Sequence, residues 1–350
     1  MTGLYIHIPF CARKCSYCAF YSVVSEGRKK QEQFFQALEK ELQNLPADFS
    51  PETIFIGGGT PTAPDYQLLE RFFPNLGKFH PAEFSCEANP GTIDAEKLAL
   101  LKRSGVNRLS IGVQSFNPQC LETLGRIHTA EQAEEAFRLA RTAGFENISL
   151  DLIFGVPGQT MEILESDLDR MLALRPEHVA IYNLMYEEGT PLTGLNPQKL
   201  DEELERKMYD RIRARLKAAG FVHYEISNFA KPGFECRHNL LYWNGGEYIG
   251  LGPAAHSHWK GVRWANAANV EDWSVREFEE KLDLEAKERE TLVMGLRQLA
   301  GVEVSSSLWK TMQESFRALE KEGLLVIDGR RVRLAEDALF VSDAVFTELV

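Results

Sequence analysis

Cys11, Cys15 and Cys18 stand at C-x3-C-x2-C spacing in the run Cys11-Ala12-Arg13-Lys14-Cys15-Ser16-Tyr17-Cys18. A loop this short can wrap three thiolates around one face of an iron–sulfur cube and leave one iron without a protein ligand. A structural zinc ion wants a fourth ligand, usually in a second C-x2-4-C or H-x3-5-H pair, and no such pair follows nearby. Three of the six cysteines fall within eight residues, which separates them from scattered structural thiols. An iron with a free coordination site suits chemistry on, or capture of, a small molecule.

A second set of residues surrounds this loop only if the chain brings them there. Gly57-Gly58-Gly59-Thr60-Pro61 lets backbone amides approach a ligand's carboxylate or amine without an intervening Cβ. It is not G-x-G-x-x-G, so a dinucleotide fingerprint is absent. Glu87, Gln114 and Asp151 each sit near the end of an apolar-alternating run, where they are either solvated turn residues or walls of one shared pocket. Arg126 is a candidate partner for a ligand carboxylate, or a surface arginine. Cys236-Arg237-His238-Asn239-Leu240-Leu241-Tyr242-Trp243 supplies a histidine among aromatic and aliphatic neighbours. His238 could ligate a haem iron, with Cys236 and His256 as alternative or second ligands. A buried, hydrogen-bonded histidine in an aromatic cluster is the other reading, and residue chemistry alone favours it.

The elements that must position these groups alternate. Leu4–Ile8, Thr53–Gly57, Glu83–Ala88, Arg108–Val113, Ile148–Ile153 and His178–Leu184 read as strands. Helical periodicity fills Arg28–Asn44, Asp65–Phe73, Asp94–Ser104, Ala130–Ala143 and Met161–Leu174. Repeated β-then-α with right-handed crossovers predicts a parallel sheet, doubly wound or curled into a barrel. Within the strands Leu4, Ile6 and Ile8 oppose Tyr5 and His7, Leu109, Ile111 and Val113 oppose Arg108, Ser110, Gly112 and Gln114, and Ile148, Leu150 and Leu152 oppose Ser149 and Asp151. One face is apolar and suits cover by helices. The other is polar, which predicts a cavity for a polar ligand at the C-terminal strand ends. The expected divisions are 1–200 for the barrel with its site, 201–283 for a long charged helix and an irregular segment from Phe221 to about Trp273, and 284–350 for a winged-helix-like domain. That last domain is expected to carry a hairpin at Asp328-Gly329.

Composition removes several function classes. The net charge of −12 over 350 residues argues against nucleic acid as the main partner. From residue 285 onward nine Lys/Arg face twelve Asp/Glu, so the C-terminal domain is expected to contact protein and not DNA. No apolar run approaches the roughly 20 residues of a membrane helix. Free thiols without signal-peptide anatomy place the expected site of action in a reducing cytoplasm.

In combination the motifs resemble a known family. The C-x3-C-x2-C run with Tyr17 before its last cysteine, followed by Gly57-Gly58-Gly59-Thr60-Pro61, is similar to the radical S-adenosylmethionine (SAM) superfamily. Ile6-His7-Ile8-Pro9-Phe10-Cys11, Glu87-Ala88-Asn89-Pro90 and Gly112-Val113-Gln114-Ser115-Phe116 resemble its HemN-like, oxygen-independent coproporphyrinogen oxidase branch. The coproporphyrinogen dehydrogenases carry a fourth cysteine two residues after the third, where this chain has Phe20. His238-Asn239-Leu240-Leu241-Tyr242-Trp243 matches the H-N-x-x-Y-W signature of the HemW-type haem chaperones.

The resemblance implies an incomplete parallel (β/α)6 TIM-like barrel with a small C-terminal domain. It implies a 4Fe–4S cluster on Cys11, Cys15 and Cys18, SAM against Tyr5, Tyr17, Gly58, Gly59, Thr60, Glu87, Gln114, Arg126 and Asp151, and haem on His238. In the superfamily one electron from the reduced cluster cleaves the sulfonium. The implied function is a haem chaperone that lacks coproporphyrinogen oxidase activity and passes haem to an acceptor protein at a membrane-bound complex, with a homodimer as one assembly left open. The rival is the dehydrogenase itself.

Overall fold

A computed structural model describes residues 1–24 and 27–349. Six strands, β1 (Thr2–Ile8), β2 (Thr53–Gly58), β3 (Glu83–Ala88), β4 (Arg108–Gln114), β5 (Ile148–Phe154) and β6 (His178–Asn183), pair in parallel in chain order. Helices α1 (Arg28–Gln43), α2 (Tyr66–Phe72), α3 (Ala95–Arg103), α4 (Pro118–Thr123), α5 (Ala130–Thr142) and α6 (Met161–Leu174) form the connections. Side chains that compete for backbone bonds start them where expected. Asp65 caps α2, Asp94 caps α3, Thr160 caps α6, and Thr129 with Gln132 forms a reciprocal capping box on α5. Ala133, Ala136, Phe137 and Ala140 put the buried stripe of α5 at helical spacing.

The two faces of the sheet separate as the alternation predicts. Leu4, Ile6, Ile8, Ile54, Ile56, Leu109, Ile111, Ile148 and Leu150 are fully buried under the helices. Across the inner face the register aligns Tyr5 with Phe55, Phe55 with Ser85, Ser85 with Arg108, Glu87 with Ser110, Ser110 with Ser149, and Gly112 with Asp151. Polar groups therefore occupy an interior that a filled barrel would pack with branched apolar side chains.

The segment from Phe221 to Trp273, expected to be irregular, holds five short strands and a helix. β7 (Val222–Glu225) and β8 (Asn228–Ala230) extend the sheet antiparallel beyond β6. After α7 (Pro191–Leu195), α8 (Glu202–Ala218) and α9 (Arg237–Trp243), β9 (Glu247–Leu251) returns parallel to β1. It is followed by the antiparallel ribbon β10 (His256–Trp259), β11 (Val262–Asn266) and β12 (Arg276–Lys281). The result is one 12-stranded sheet with the six parallel strands at its centre. These outer strands are three to six residues long and carry little apolar alternation; β12 is exposed at every position. Pairing with β1 and β6 organises them, not their own pattern.

The C-terminal elements are α10 (Leu284–Gly295), α11 (Ser306–Lys321), a three-stranded sheet of β13 (Val302–Glu303), β14 (Leu325–Asp328) and β15 (Arg331–Leu334), and α12 (Ser342–Thr347). The β14–β15 hairpin turns at Gly329, whose φ of +63° needs the glycine. Leu308, Met312, Phe316 and Leu319 give α11 its buried stripe.

Candidate functional site

The cysteine loop is clamped at both ends. Phe10–Cys11 and Val23–Val24 form a two-residue parallel ladder, with Val23 N–H donating to Pro9 O at 2.9 Å. In mid-loop Ser16 N–H donates to Leu124 O (3.1 Å), Ser16 Oγ donates to Thr123 O (2.7 Å), and Ser16 O accepts from Leu192 N–H (2.8 Å). Tyr17 packs into the small apolar cluster of Cys120, Leu124, Ile153, Val156, Leu184 and Leu192, and burial raises its phenol pKa. Cys11, Cys15 and Cys18 stay partly exposed, whereas Cys86, Cys120 and Cys236 are buried. Burial and the neighbouring thiols raise Cys11 and Cys18. Among the described residues no three His, Cys, Asp or Glu side chains converge on a single-ion site.

Above the thiols lies a polar group built from three loops. Thr60 Oγ1 reaches Cys11 Sγ at 3.7 Å and accepts from Asn89 Nδ2 at 2.7 Å. Arg126 donates from Nη1 to Cys15 Sγ (3.4 Å) and from Nη2 to Asn89 Oδ1 (2.5 Å) and Gly112 O (2.6 Å). Strand alternation places Gln114 on the inner face, but the β4–β5 register shifts between Gly112 and Gln114, and Gln114 takes φ +67°. Its side chain still reaches the group. A Cβ on Gly112 would lie 2.8 Å from both Gln114 Nε2 and Asn89 Oδ1. Gln114 Oε1 and Arg126 Nε are buried with no partner among the described residues. Orphaned polar atoms beside three thiols fit a polar cofactor on the cluster's open side.

Gly58 and Gly59 earn their place by packing. A Cβ on Gly58, at φ +110°, would meet the His7 ring at 2.7 Å, and one on Gly59 would meet Pro9 C and O at 2.6 Å. His7 Nε2 contacts Tyr21 O at 2.8 Å and so carries its proton there, leaving Nδ1 to accept from Tyr5 OH at 3.1 Å. These contacts fix the glycine loop against the strand that leads into Cys11.

Below, a half-open cavity of about 230 Å³ brings together Tyr5, Gly58, Glu87, Asp151 and His238. Burial, then the Asp151 charge, raises Glu87 to about 8, so it is a neutral hydrogen-bond donor at pH 7. Burial raises Asp151 to about 6, opposed by hydrogen bonds from Ser110 (3.0 Å) and Ser149 (3.2 Å) and by the Arg108 charge. Arg108 lines the same cavity, is 2% exposed, and its Nε has no partner among the described residues. Arg108 belongs to the polar strand face, yet a strand's first residue gives no sequence sign that its cation ends up buried.

His238 lies on α9 at the cavity floor, 1% exposed. Its Nδ1 is 2.8 Å from Thr53 Oγ1, its Nε2 2.8 Å from Tyr242 OH, and its ring stacks on Phe55 at 5.4 Å. Burial lowers its pKa to about 3, so the ring is neutral. Both nitrogens are engaged, and a bond to iron at Nε2 requires Tyr242 to withdraw. Glu83, a buried carboxylate, accepts from Arg237 N–H (2.9 Å) and His238 N–H (3.0 Å), anchoring the N-terminus of α9. Sequence reasoning missed Glu83, whose partners lie more than 150 residues away. Cys236 is fully buried with its thiol turned to Glu83 and raised to about 12 by burial, while His256 is exposed and packs beside Phe278. The structure brings neither into the cavity with His238.

Known proteins resemble this chain in sequence and in fold. Residues 5–171 match the radical SAM superfamily and residues 282–341 the HemN C-terminal domain. The heme chaperone HemW of Lactococcus lactis is 35% identical over 99% of this chain and 96% of its own length. The chain belongs to the HemW family. Its HemW relatives in Bacillus subtilis and Escherichia coli are 39% and 41% identical, over 86% and 73% of this chain and 85% and 69% of theirs. The solved structure of E. coli coproporphyrinogen III oxidase, HemN, a radical SAM enzyme, superposes with a TM-score of 0.84 over 99% of this chain and 89% of its own. At 22% identity that likeness speaks for the fold alone. The fold of this HemW family member is the partial radical SAM barrel with an added C-terminal domain.

Proposed function

We propose that this protein is a cytoplasmic haem chaperone that carries a 4Fe–4S cluster and SAM, binds haem, and hands it to an acceptor protein. The observation that carries the reading is whole-length similarity to the L. lactis heme chaperone, supported by three partly exposed thiols beside orphaned polar atoms. Cys11, Cys15 and Cys18 would hold the cluster as thiolates, helped by the Arg126 cation next to Cys11 and Cys15. When bound, a reduced cluster supplies an electron to the sulfonium of SAM. Arg126, Gln114 and Thr60 would orient the cofactor's amino-acid end, while neutral Glu87 and ionised Asp151 present one donor and one acceptor below. His238 is the candidate iron ligand. No helix among the described residues is long and apolar enough to cross a membrane, so a membrane-bound acceptor would be met from the aqueous side. A homodimer is one form the protein could take for that encounter.

The test is anaerobic reconstitution followed by haem titration. Four irons and four sulfides per chain are expected, lost in the Cys11→Ala, Cys15→Ala, Cys18→Ala triple variant. One-to-one haem binding by absorbance is expected for the wild type, weakened in His238→Ala. A reconstituted wild type that binds no haem, yet consumes coproporphyrinogen III, overturns the chaperone reading.

A further inference from the structure

The cavity at His238, about 230 Å³, is smaller than the roughly 300–1,000 Å³ of pockets that hold drug-sized ligands, and both His238 ring nitrogens already hold hydrogen bonds. A macrocycle has no room there in this structure. A different cleft does have room. Between α1, β9 and the outer ribbon β10–β12 lies a cavity of about 780 Å³ whose walls include Trp259, Trp264 and Trp273. Resting on the haem-binding reading above, we infer that this tryptophan cleft is a binding site for the tetrapyrrole ring itself, recognised by its aromatic faces and its two carboxylates and not through the iron.

The cleft is preformed. Trp273 is buried, and its indole N–H donates to Glu41 at 2.7 Å. The same carboxylate accepts from Gly252 N–H at 2.8 Å and Asn266 Nδ2 at 3.0 Å. Burial raises the pKa of Glu41, and those three donors oppose the shift. Glu41 thereby ties α1 to β9 and β11, and the floor does not have to be ordered when a ligand arrives. Trp259 and Trp264 stand on the ribbon above this floor, both partly exposed, offering planar area of low conformational entropy.

The lining is mixed in charge, with Lys40, Lys260 and Arg276 among Glu41, Glu271, Asp272 and Glu279, and the cations at the two exposed tryptophans are the groups that can meet a ring's carboxylates. Lys260 Nζ lies 5.4 Å from the Trp259 ring centre, and the Arg276 guanidinium 4.4 Å from that of Trp264. Each of these two tryptophans thus has a cation over its face, which a stacking ring displaces toward its own carboxylates. In the free protein Lys260 pairs with Asp48 and Arg276 with Glu279, all of them exposed side chains. Exposed pairs contribute only about 0–1 kcal/mol, so exchanging them for ligand carboxylates costs little. Among the described residues the lining contains no His, Cys, Met or Tyr, the side chains that hold haem iron. A ring held here keeps its iron unligated by the cleft, which suits cargo that must later be released.

Full-length, reconstituted protein is titrated with haem and with metal-free protoporphyrin IX, following absorbance and quenching of tryptophan fluorescence. If the cleft binds the ring, metal-free protoporphyrin IX binds within a few-fold of haem. Trp259→Ala with Trp264→Ala then weakens both by about tenfold or more, while His238→Ala leaves protoporphyrin IX binding unchanged. Lys260→Glu with Arg276→Glu, surface changes that spare the fold, weaken protoporphyrin IX but not its dimethyl ester. Haem binding that is lost in His238→Ala, with no binding of the metal-free ring, overturns the cleft and leaves the chaperone reading standing. Unaltered affinities in the lysine–arginine variant also overturn it. A wild type that binds neither ring overturns both.

Discussion

Glu87 offers a measurement that reads the cavity directly. Its folded pKa is raised from 4.5 to about 8 because a carboxylate there is desolvated and faces Asp151, with Gly58 N–H and Arg108 compensating only in part. A folded pKa above the unfolded one means that the folded protein holds an extra proton between those two values. Stability from this group is therefore intact below about pH 4.5 and falls as pH rises to about 8. At 1.36 kcal/mol for each pKa unit, the loss is about 2 kcal/mol at pH 6 and about 5 kcal/mol at pH 9, as upper values. Glu87→Gln keeps the shape and the donor but cannot ionise, so it escapes this loss. Urea unfolding of wild type and Glu87→Gln, without cluster and under reducing conditions, isolates the effect as a difference. Between pH 6 and pH 9 that difference is expected to move by about 3 kcal/mol in favour of the variant. A difference that stays flat across the range would mean that Glu87 ionises at an ordinary pKa. The cavity would then be hydrated and open, and the assignment of neutral Glu87 and ionised Asp151 would fail with it.

Two further outcomes follow from the floor of the cavity. Tyr242→Phe removes the hydroxyl on His238 Nε2, a bond whose net worth is about 1 kcal/mol. If Nε2 ligates the haem iron, affinity rises about fivefold by absorbance titration, and an unchanged affinity removes Nε2 as the ligand. Arg108→Met withdraws the cation that lowers both Glu87 and Asp151, so Asp151 stays protonated to higher pH. Calorimetric titration with SAM is expected to weaken at pH 7 and to recover by pH 8.5. The same pH profile as wild type would show that Arg108 does not act through Asp151.

The central six strands were legible because each carries its own signal. Leu4-Tyr5-Ile6-His7-Ile8 states in five residues which side meets helices and which meets the cavity, and burial follows that statement. Tyr5, Glu87 and Asp151 reach one cavity for the same reason. The outer ribbon carries no such signal. His256-Ser257-His258-Trp259 and Arg276–Lys281 become strands because β9 docks on β1 and the ribbon folds back along it. Alternation also cannot announce a bulge. Gln114 leaves the simple register and still arrives beside Arg126 only because Gly112 has no Cβ to exclude it.

His238 shows where a motif stops and geometry begins. Its aromatic neighbours are visible in sequence, and Tyr242 lies one helical turn away. The hydroxyl on its other nitrogen belongs to Thr53, 185 residues distant, and the carboxylate that holds its helix belongs to Glu83 on the next strand. Those partners make the free-state ring a saturated, neutral, enclosed histidine, the state that residue chemistry favoured. The family signature favoured a ligand. Both hold if Tyr242 yields before Nε2 meets iron. On the inference drawn above, the tryptophan cleft would receive the ring ahead of that bond.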